Sequence, residues 1–162
     1  RIKGKEELDV VTQAKYYSRW YYAAIHVLVT IPGKKSKESI SSYLGLEMVT
    51  VNEAIEFLES CGLVTNTNAG YETGMTKVFL KGDSPFIVQH HHNWRLSAMN
   101  DIISPKKENL HFSSVYTLSE KDFVKIREQL LENIQQVWSI VQPSKEEKLC
   151  ALNLDFFELG RD

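Results

Sequence analysis

The side chains best suited to recognising a partner lie in a helix-turn-helix pattern that spans residues 36–64. In a DNA reader, the second helix of this motif carries Arg, Lys, Asn or Gln into the major groove. Here that helix carries four carboxylates instead: Glu47, Glu53, Glu56 and Glu59. No Lys or Arg occurs between Glu47 and Cys61. The pattern predicts the shape of a DNA-binding motif with the wrong charge for reading bases.

Successive residues of a helix are rotated by 100°. This rotation places Glu53, Glu56 and Ser60 on the side of the helix opposite its apolar stripe. Carboxylates there would repel DNA phosphates, and such like-charge contacts can cost several kcal/mol. We therefore favour a solvated acidic face or a protein-binding face, with Phe57 as a further contact candidate. Direct base reading by this helix is the less favoured alternative.

Five lysines near the motif are candidates for phosphate contacts. They flank the second helix of the fold and the expected wing: Lys34, Lys35, Lys37, Lys77 and Lys81. Cations that neutralise phosphates supply most non-specific DNA affinity, and that affinity falls with salt. The alternative is a solubilising loop, so we expect DNA binding through this chain to be weak.

An aromatic cluster opens the first predicted helix. It contains Tyr16, Tyr17, Trp20, Tyr21 and Tyr22, and it covers more than one helix face. Two or three of these rings can fill a core, and the others would seek an interface, where aromatic rings with polar tips are enriched. Tyr16, Tyr17 and Tyr22 are therefore candidate partner contacts, with internal packing as the competing interpretation.

No residue pattern points to catalysis, a cofactor or a metal. His90, His91 and His92 are consecutive, so in a helix they point 100° apart and cannot all ligate one ion. We expect them to serve helix packing, with His92 partly buried. The sequence contains no nucleophile elbow, phosphate loop or zinc motif. It therefore predicts a protein that is not an enzyme.

Composition sets the broad class of the protein. The chain has 162 residues, a formal net charge of −2, 43% hydrophobic residues and 25% charged residues. These values are typical of a globular protein and disfavour a generally basic nucleic-acid binder. Cys61 and Cys150 lack CxxC spacing, which favours a reducing, cytoplasmic compartment. No apolar run is long enough to predict a membrane span.

The first half predicts a winged helix-turn-helix over residues 16–82. Residues 1–15 lack periodicity and are expected to form a flexible arm or the remnant of an upstream segment. One helix is expected over 16–30, a second after the cap Ser36, and a third after the turn at Gly45. Further signals are a cap at Thr50, a stop at Gly62, and two wing strands at 63–65 and 77–80.

The second half, residues 83–162, predicts an α/β module, so the expected fold class is α+β. We expect a helix at 85–103, a strand at 111–118, a helix at 119–142 capped by Ser119, and a strand at 148–158. The long helix favours a parallel pairing of these two strands. Since two strands make a poor sheet, they require a third from the wing or from a second copy.

The sequence resembles a bacterial domain-of-unknown-function family of winged-helix, regulator-like proteins. The resemblance spans residue 16 to about residue 159 and rests on matches at Tyr16 to Ile25, Leu44-Gly45-Leu46, Ala54, Leu58, Gly62-Leu63-Val64, His92, Phe112-Ser113-Ser114, Leu118-Ser119, Asp122-Phe123, Leu152-Asn153-Leu154 and Phe156-Phe157. A departure is Arg95, where members often carry Met three residues after the His. These motifs are mostly structural and carry over no catalytic or ligand residue.

The resemblance implies a segment that follows a separate N-terminal helix-turn-helix domain. The leading hypothesis is a regulator-like module for dimerisation, partner binding or signal reception, with a homodimer or another protein as partner. The alternatives are direct DNA binding through the Lys34–Lys37 loop and the wing, and a small-ligand sensor.

Overall fold

A computed structural model describes residues 8–78 and 80–160, and the protein is α+β. Its described part contains six helices and one two-stranded antiparallel hairpin. The elements are α1 Val10–Ser18, α2 Trp20–Leu28, α3 Lys37–Leu44, α4 Met48–Ser60, β1 Val64–Thr67, β2 Gly70–Thr73, α5 Ile87–Ile103 and α6 Glu120–Val141. The chain divides into a first unit, Arg1–Met99 with Glu146–Ala151, and a second unit, Asn100–Lys145 with Leu152–Asp162.

The first unit begins with two short helices where the sequence predicts a flexible arm at 1–15 and one helix at 16–30. The arm prediction is wrong from residue 10 onward, because the Asp9 side chain accepts a 2.8 Å hydrogen bond from the Thr12 amide and starts α1 there. Residues 1–7 lie outside the described part. Arg19 is extended, with φ −141° and ψ 139°, and it separates α1 from α2. An N-cap residue stabilises a helix start by about 1 kcal/mol.

The helix-turn-helix segment follows the sequence closely. Ser36 caps α3 by accepting a hydrogen bond from the Ser39 amide, as predicted. Gly45 ends α3 in the left-handed region, with φ 66°. The predicted cap at Thr50 is wrong, because α4 already begins after the extended residue Glu47. The Leu46 amide bonds to the Ser41 carbonyl at 3.1 Å, which keeps the connection short and lets α4 start early.

The hairpin uses a different second strand from the one predicted. β1 overlaps the predicted strand at 63–65, but β2 lies at 70–73 rather than 77–80. Only Asn68 and Ala69 separate the paired residues Thr67 and Gly70. The Thr67 hydroxyl accepts from the Ala69 amide and donates to the Gly70 carbonyl, at 3.1 and 2.8 Å. These bonds fold the turn-rich segment into the hairpin itself, because a two-residue loop suffices for antiparallel strands.

The loop before α3 lies alongside β2. The Tyr71 amide donates a 2.8 Å hydrogen bond to the Lys35 carbonyl, and Lys35 Nζ lies 2.6 Å from Glu72 Oε1. Gly70 has φ +105°, and a Cβ at this residue would lie 2.6 Å from the Lys35 carbonyl oxygen. Glycine therefore permits this close approach.

The first unit has an aliphatic core between α2, α3 and α4. Ile25, Leu28, Ile40, Ile55 and Leu58 are at most 1% exposed. Each such side chain contributes roughly 1.5–3 kcal/mol when fully buried. The apolar spacing of the three helices predicts this core, which holds the outward face of α4 in place.

The second unit contains α6, close to the predicted helix at 119–142. The Ser119 side chain caps it by accepting from the Asp122 amide at 3.1 Å. Phe123 stacks on Phe156, with ring centroids 4.6 Å apart. None of the described residues of α6 is buried, although Phe123, Ile126, Leu130 and Ile134 are partly covered.

The two predicted strands of the second half are not formed. Residues 111–118 and 148–158 carry no strand in the part of the chain that the structure describes, so the expected parallel pair is wrong. Their composition is typical of strands, but a strand also needs a partner with which to form a hydrogen-bonded ladder. All residues of 110–118 are exposed.

Candidate partner-binding surface

The outward face of α4 carries the carboxylates that the helical spacing predicts. Glu53, Glu56 and Ser60 are exposed, and Glu59 is half-buried. On the opposite side, Val51, Ala54, Ile55 and Leu58 are buried. The predicted arc is therefore confirmed, whereas its use in binding stays a prediction.

An open hollow of about 450 Å³ lies over this face. Its lining combines one residue of α1, one of α2 and four of α4: Lys15, Tyr22, Glu53, Glu56, Phe57 and Ser60. The Tyr22 and Phe57 rings meet edge to face with centroids 4.9 Å apart, and Lys15 Nζ lies 4.6 Å from the Phe57 ring centroid. The structure thus brings together five of the seven residues that the sequence nominates for partner binding.

Two carboxylates and one ammonium group set the charge of the hollow. Burial raises the pKa of Tyr22 to about 12, and the neighbouring Tyr21 and the Glu53 carboxylate add to this rise against an opposing effect of Arg19. The Tyr22 phenol therefore keeps its proton at neutral pH. The hollow offers two anionic acceptors at its edge and aromatic rings at its floor, an arrangement suited to a cationic side chain with an apolar stem.

Lys15 is a lining residue that sequence reasoning missed. The segment 1–15 has weak periodicity, so its helix was not predicted and Lys15 was not placed near α4. The available signal was Asp9, an N-cap residue type directly before Val10.

Tyr16 and Tyr17 do not join the hollow. They are only 5% and 4% exposed and belong to the core. The Tyr16 hydroxyl lies 3.1 Å from His26 Nδ1, and Tyr17 stacks on Phe86 with centroids 6.0 Å apart. Burial raises the pKa of Tyr16 and lowers the pKa of His26. These contacts give both tyrosines an internal packing role.

The candidate phosphate contacts fall into two sets. Lys35 forms the ion pair with Glu72, and Lys34 Nζ lies 5.1 Å from the Tyr43 ring centroid, so both make contacts within the chain. Lys37 is half-buried. Lys77 and Lys81 are exposed and line a second hollow of about 300 Å³ that also includes Asp83. Phosphate binding by these lysines stays a prediction.

The histidine run lies in α5, but the roles of its members differ from the prediction. His92 is exposed, whereas His90 is partly buried with its ring 5.7 Å from that of Tyr17. The expectation of a partly buried His92 is wrong because the α5 face toward Tyr17 begins at His90. Within residues 8–78 and 80–160, no group of three potential metal ligands converges.

Asn93 is a structural residue that the sequence did not reveal. It is 8% exposed, the one buried polar residue in the described part of the chain. Its Nδ2 donates to the Tyr17 carbonyl at 2.8 Å, and its Oδ1 accepts from Gln89 at 3.0 Å. The Tyr17 carbonyl lies at the end of α1, where helices leave acceptors unpaired. An Asn inside a helical pattern gives no signal of such a distant partner.

The second unit presents a different surface, rich in exposed apolar side chains. Val124, Leu131 and Trp138 recur at seven-residue spacing along α6 and are 54%, 46% and 61% exposed. Phe112 and Tyr116, in the irregular segment before α6, are 82% and 56% exposed. Patches of this kind are typical of protein-protein interfaces.

A comparison with known families identifies the chain. Residues 3–159 match a family described as a domain of unknown function, DUF4423, and the chain belongs to that family. This confirms the resemblance to a domain-of-unknown-function family. No curated protein and no solved structure matches the chain. Among the helices of the described residues, none has the length and apolar character needed to cross a membrane.

Proposed function

We propose that the chain is a winged-helix module of a transcriptional regulator, which binds a protein partner and associates with itself rather than reading DNA bases. The observation that carries this proposal is the hollow over α4, where Glu53 and Glu56 flank the aromatic pair Tyr22 and Phe57. In a base-reading protein this face would meet phosphates and carry cations.

The winged-helix assignment is supported by the order and contacts of the first unit. Four helices, α1 to α4, precede the hairpin, and Gly45 makes the turn between α3 and α4. The Tyr71 amide bonds to the Lys35 carbonyl, so the loop before α3 lies beside β2. The hairpin is therefore attached to the helices by its backbone as well as by its side chains.

The hollow suits a basic segment of another protein. The carboxylates of Glu53 and Glu56 can accept from a guanidinium group, while Tyr22 and Phe57 contact its stem. Lys15, held over Phe57, limits the space to a small number of cationic groups. Such a site selects its partner by charge and by aromatic stacking.

Calorimetric titration with a tetra-arginine peptide tests the binding site. We expect binding that weakens with salt and is lost in Glu53→Gln/Glu56→Gln, because two anionic acceptors are removed. Glu128→Gln/Glu132→Gln is the matched control, since it removes the same charge from exposed positions of α6. Absence of binding, or equal binding by both variants, would contradict the site.

A gel-shift titration with a short random-sequence duplex distinguishes the DNA-binding alternative from the proposed protein binding. We expect no shift at moderate salt. A shift that disappears in Lys77→Gln/Lys81→Gln would overturn the proposal in favour of phosphate contacts near the wing, because these two lysines are the exposed ones of the set.

A further inference from the structure

Residues 110–118 read Leu-His-Phe-Ser-Ser-Val-Tyr-Thr-Leu, and their leucines and aromatic residues are placed symmetrically about the middle residue. Their centre is Ser114. Leu110 and Leu118 are equidistant from this centre, as are the aromatic residues Phe112 and Tyr116. Because side chains alternate along a strand, all five residues lie on one face when the segment is extended.

We propose that a second copy of this chain pairs with residues 110–118 as an antiparallel strand, with the two-fold axis at Ser114. This inference rests on the self-association in the proposed function and specifies its register. In the pairing, Phe112 of one copy faces Tyr116 of the other, and Leu110 faces Leu118. A two-fold interface needs a surface complementary to itself, and the symmetric placement of the leucines and aromatic residues provides one.

Exposure and side-chain type favour this pairing. Leu110, Phe112 and Tyr116, which lie on the pairing face, are 88%, 82% and 56% exposed. Aromatic pairs directly opposite each other stabilise two paired strands, and small Ser114 side chains meet at the axis without crowding. The pairing thus gives hydrogen-bond partners to the backbone N–H and C=O groups of a segment whose composition is typical of a strand.

Charge favours self-pairing of residues 110–118 over self-pairing of residues 151–159. Residues 110–118 contain no Asp, Glu, Lys or Arg, so two copies meet without repulsion. Residues 151–159 contain Asp155 and Glu158, and self-pairing there would bring carboxylates together. Like charges directly opposite each other destabilise a strand pair.

The start of the segment is already fixed within the second unit. Asp101 Oδ2 accepts from Asn109 Nδ2 at 2.7 Å and lies 2.8 Å from His111 Nε2. These two bonds anchor the residues that lead into the strand. Less conformational entropy is lost when an anchored segment binds, which favours association.

Exposed aromatic side chains of the second unit provide part of the apolar area that a stable dimer needs. Phe112, Tyr116 and Trp138 offer on the order of 300–500 Å² of exposed area, given roughly 150–250 Å² per aromatic side chain. A stable interface buries about 800 Å² on each partner, so the proposed dimer also requires exposed aliphatic residues such as Leu110 and Leu118.

Cysteine cross-linking tests the register. In a Cys61→Ser/Cys150→Ser background, we expect Ser114→Cys to form a disulfide-linked dimer on mild oxidation. Opposite residues of antiparallel strands have Cα atoms about 4.5–5.5 Å apart, within disulfide range. Ser113→Cys is the matched control and should remain uncross-linked, because it faces residue 115 and lies about 8 Å from its own copy. Equal cross-linking of both variants, or none in Ser114→Cys, would overturn the register.

A charge exchange provides a second test. Phe112→Lys and Tyr116→Glu should each raise the dimer dissociation constant by about two- to thirtyfold in sedimentation experiments, because two aromatic pairs are lost per dimer. Mixing the two variants should restore dimers, since Lys then faces Glu. The inference would be contradicted if the parent chain is monomeric. It would also be contradicted if the single variants dimerise as strongly as the parent. If the parent chain is monomeric but still binds tetra-arginine, the dimer is contradicted while the proposed partner-binding site on α4 is supported.

Discussion

The Tyr71 amide in β2 donates a 2.8 Å hydrogen bond to the Lys35 carbonyl in the loop before α3. This bond joins residues 36 positions apart and attaches the hairpin to the helices. Next to it, Lys35 Nζ contacts Glu72, but both side chains are partly exposed, at 26% and 42%. The backbone contact should therefore matter more for stability than the ion pair, because surface ion pairs contribute little.

Gly70 is the residue that permits this backbone approach, and Gly70→Ala tests it. We expect the free energy of unfolding to fall by about 1–3 kcal/mol, since alanine is strained at a positive φ and its Cβ would meet the Lys35 carbonyl. Chemical denaturation measures the change. Gly82→Ala is the control, because nothing lies within 4 Å of a Cβ at residue 82. Equal effects of the two substitutions would show that the loop does not hold the hairpin.

The histidine near Tyr16 predicts a pH dependence of stability. Burial lowers the pKa of His26 below its ordinary value of 6.5, and burial also lowers that of His90. The unfolded chain therefore takes up protons first as the pH falls below 6.5. Stability is complete above that pH and decreases down to the lowered pKa of the folded state.

The pH dependence is measured by thermal unfolding in a series of buffers. His26→Gln should reduce the loss of thermal stability just below pH 6.5, because it removes one titrating group. His92→Gln, at an exposed position of α5, should leave the curve unchanged. The low pKa values of Asp9 and Asp101 affect stability only at more acidic pH, below their ordinary value of 3.8. A decrease that persists in full in His26→Gln would contradict this assignment.

The first unit was predictable where local signals agree with packing. Ser36, Gly45 and the apolar spacing of α4 predict α3, the turn after it and the buried face of α4, because caps, left-handed turns and helical stripes act within a few residues. The long helix after Ser119 was predictable for the same reasons.

Other features depend on contacts between residues far apart in the sequence, so no local sequence pattern predicts them. Asn93 is buried because the Tyr17 carbonyl needs a donor, and Lys15 reaches the hollow because Asp9 starts a helix early. The strand-like residues 111–118 have the composition of a strand, but composition does not supply a partner. Four of the six lining residues of the candidate binding site thus lie on α4, and Lys15 and Tyr22 join them through the packing of α1 and α2 against it.

Asn93 should be important for the stability of the first unit. Asn93→Ala leaves the Tyr17 carbonyl without its 2.8 Å donor, and a buried unpaired acceptor costs about 1–3 kcal/mol. Asn100→Ala is the matched control, because it makes the same change at an exposed position of α5 and shares any gain in helix propensity. The difference between the two variants in urea denaturation isolates the hydrogen bond. A difference near zero would mean that water replaces the Asn93 donor.

The titration of Tyr22 reports the electrostatics of the hollow directly. Its pKa is raised to about 12 by burial first, then by Tyr21 and by the Glu53 carboxylate. Glu53→Gln removes a negative charge and should lower the pKa of Tyr22, since the phenolate is then repelled less. Glu38→Gln, on exposed α3, is the control and should leave it unchanged. NMR of labelled tyrosine rings between neutral and high pH measures both values. If Glu53→Gln leaves the Tyr22 pKa unchanged while tetra-arginine still binds, the peptide is held by Glu56 and the aromatic floor rather than by a joint site of Glu53 and Tyr22.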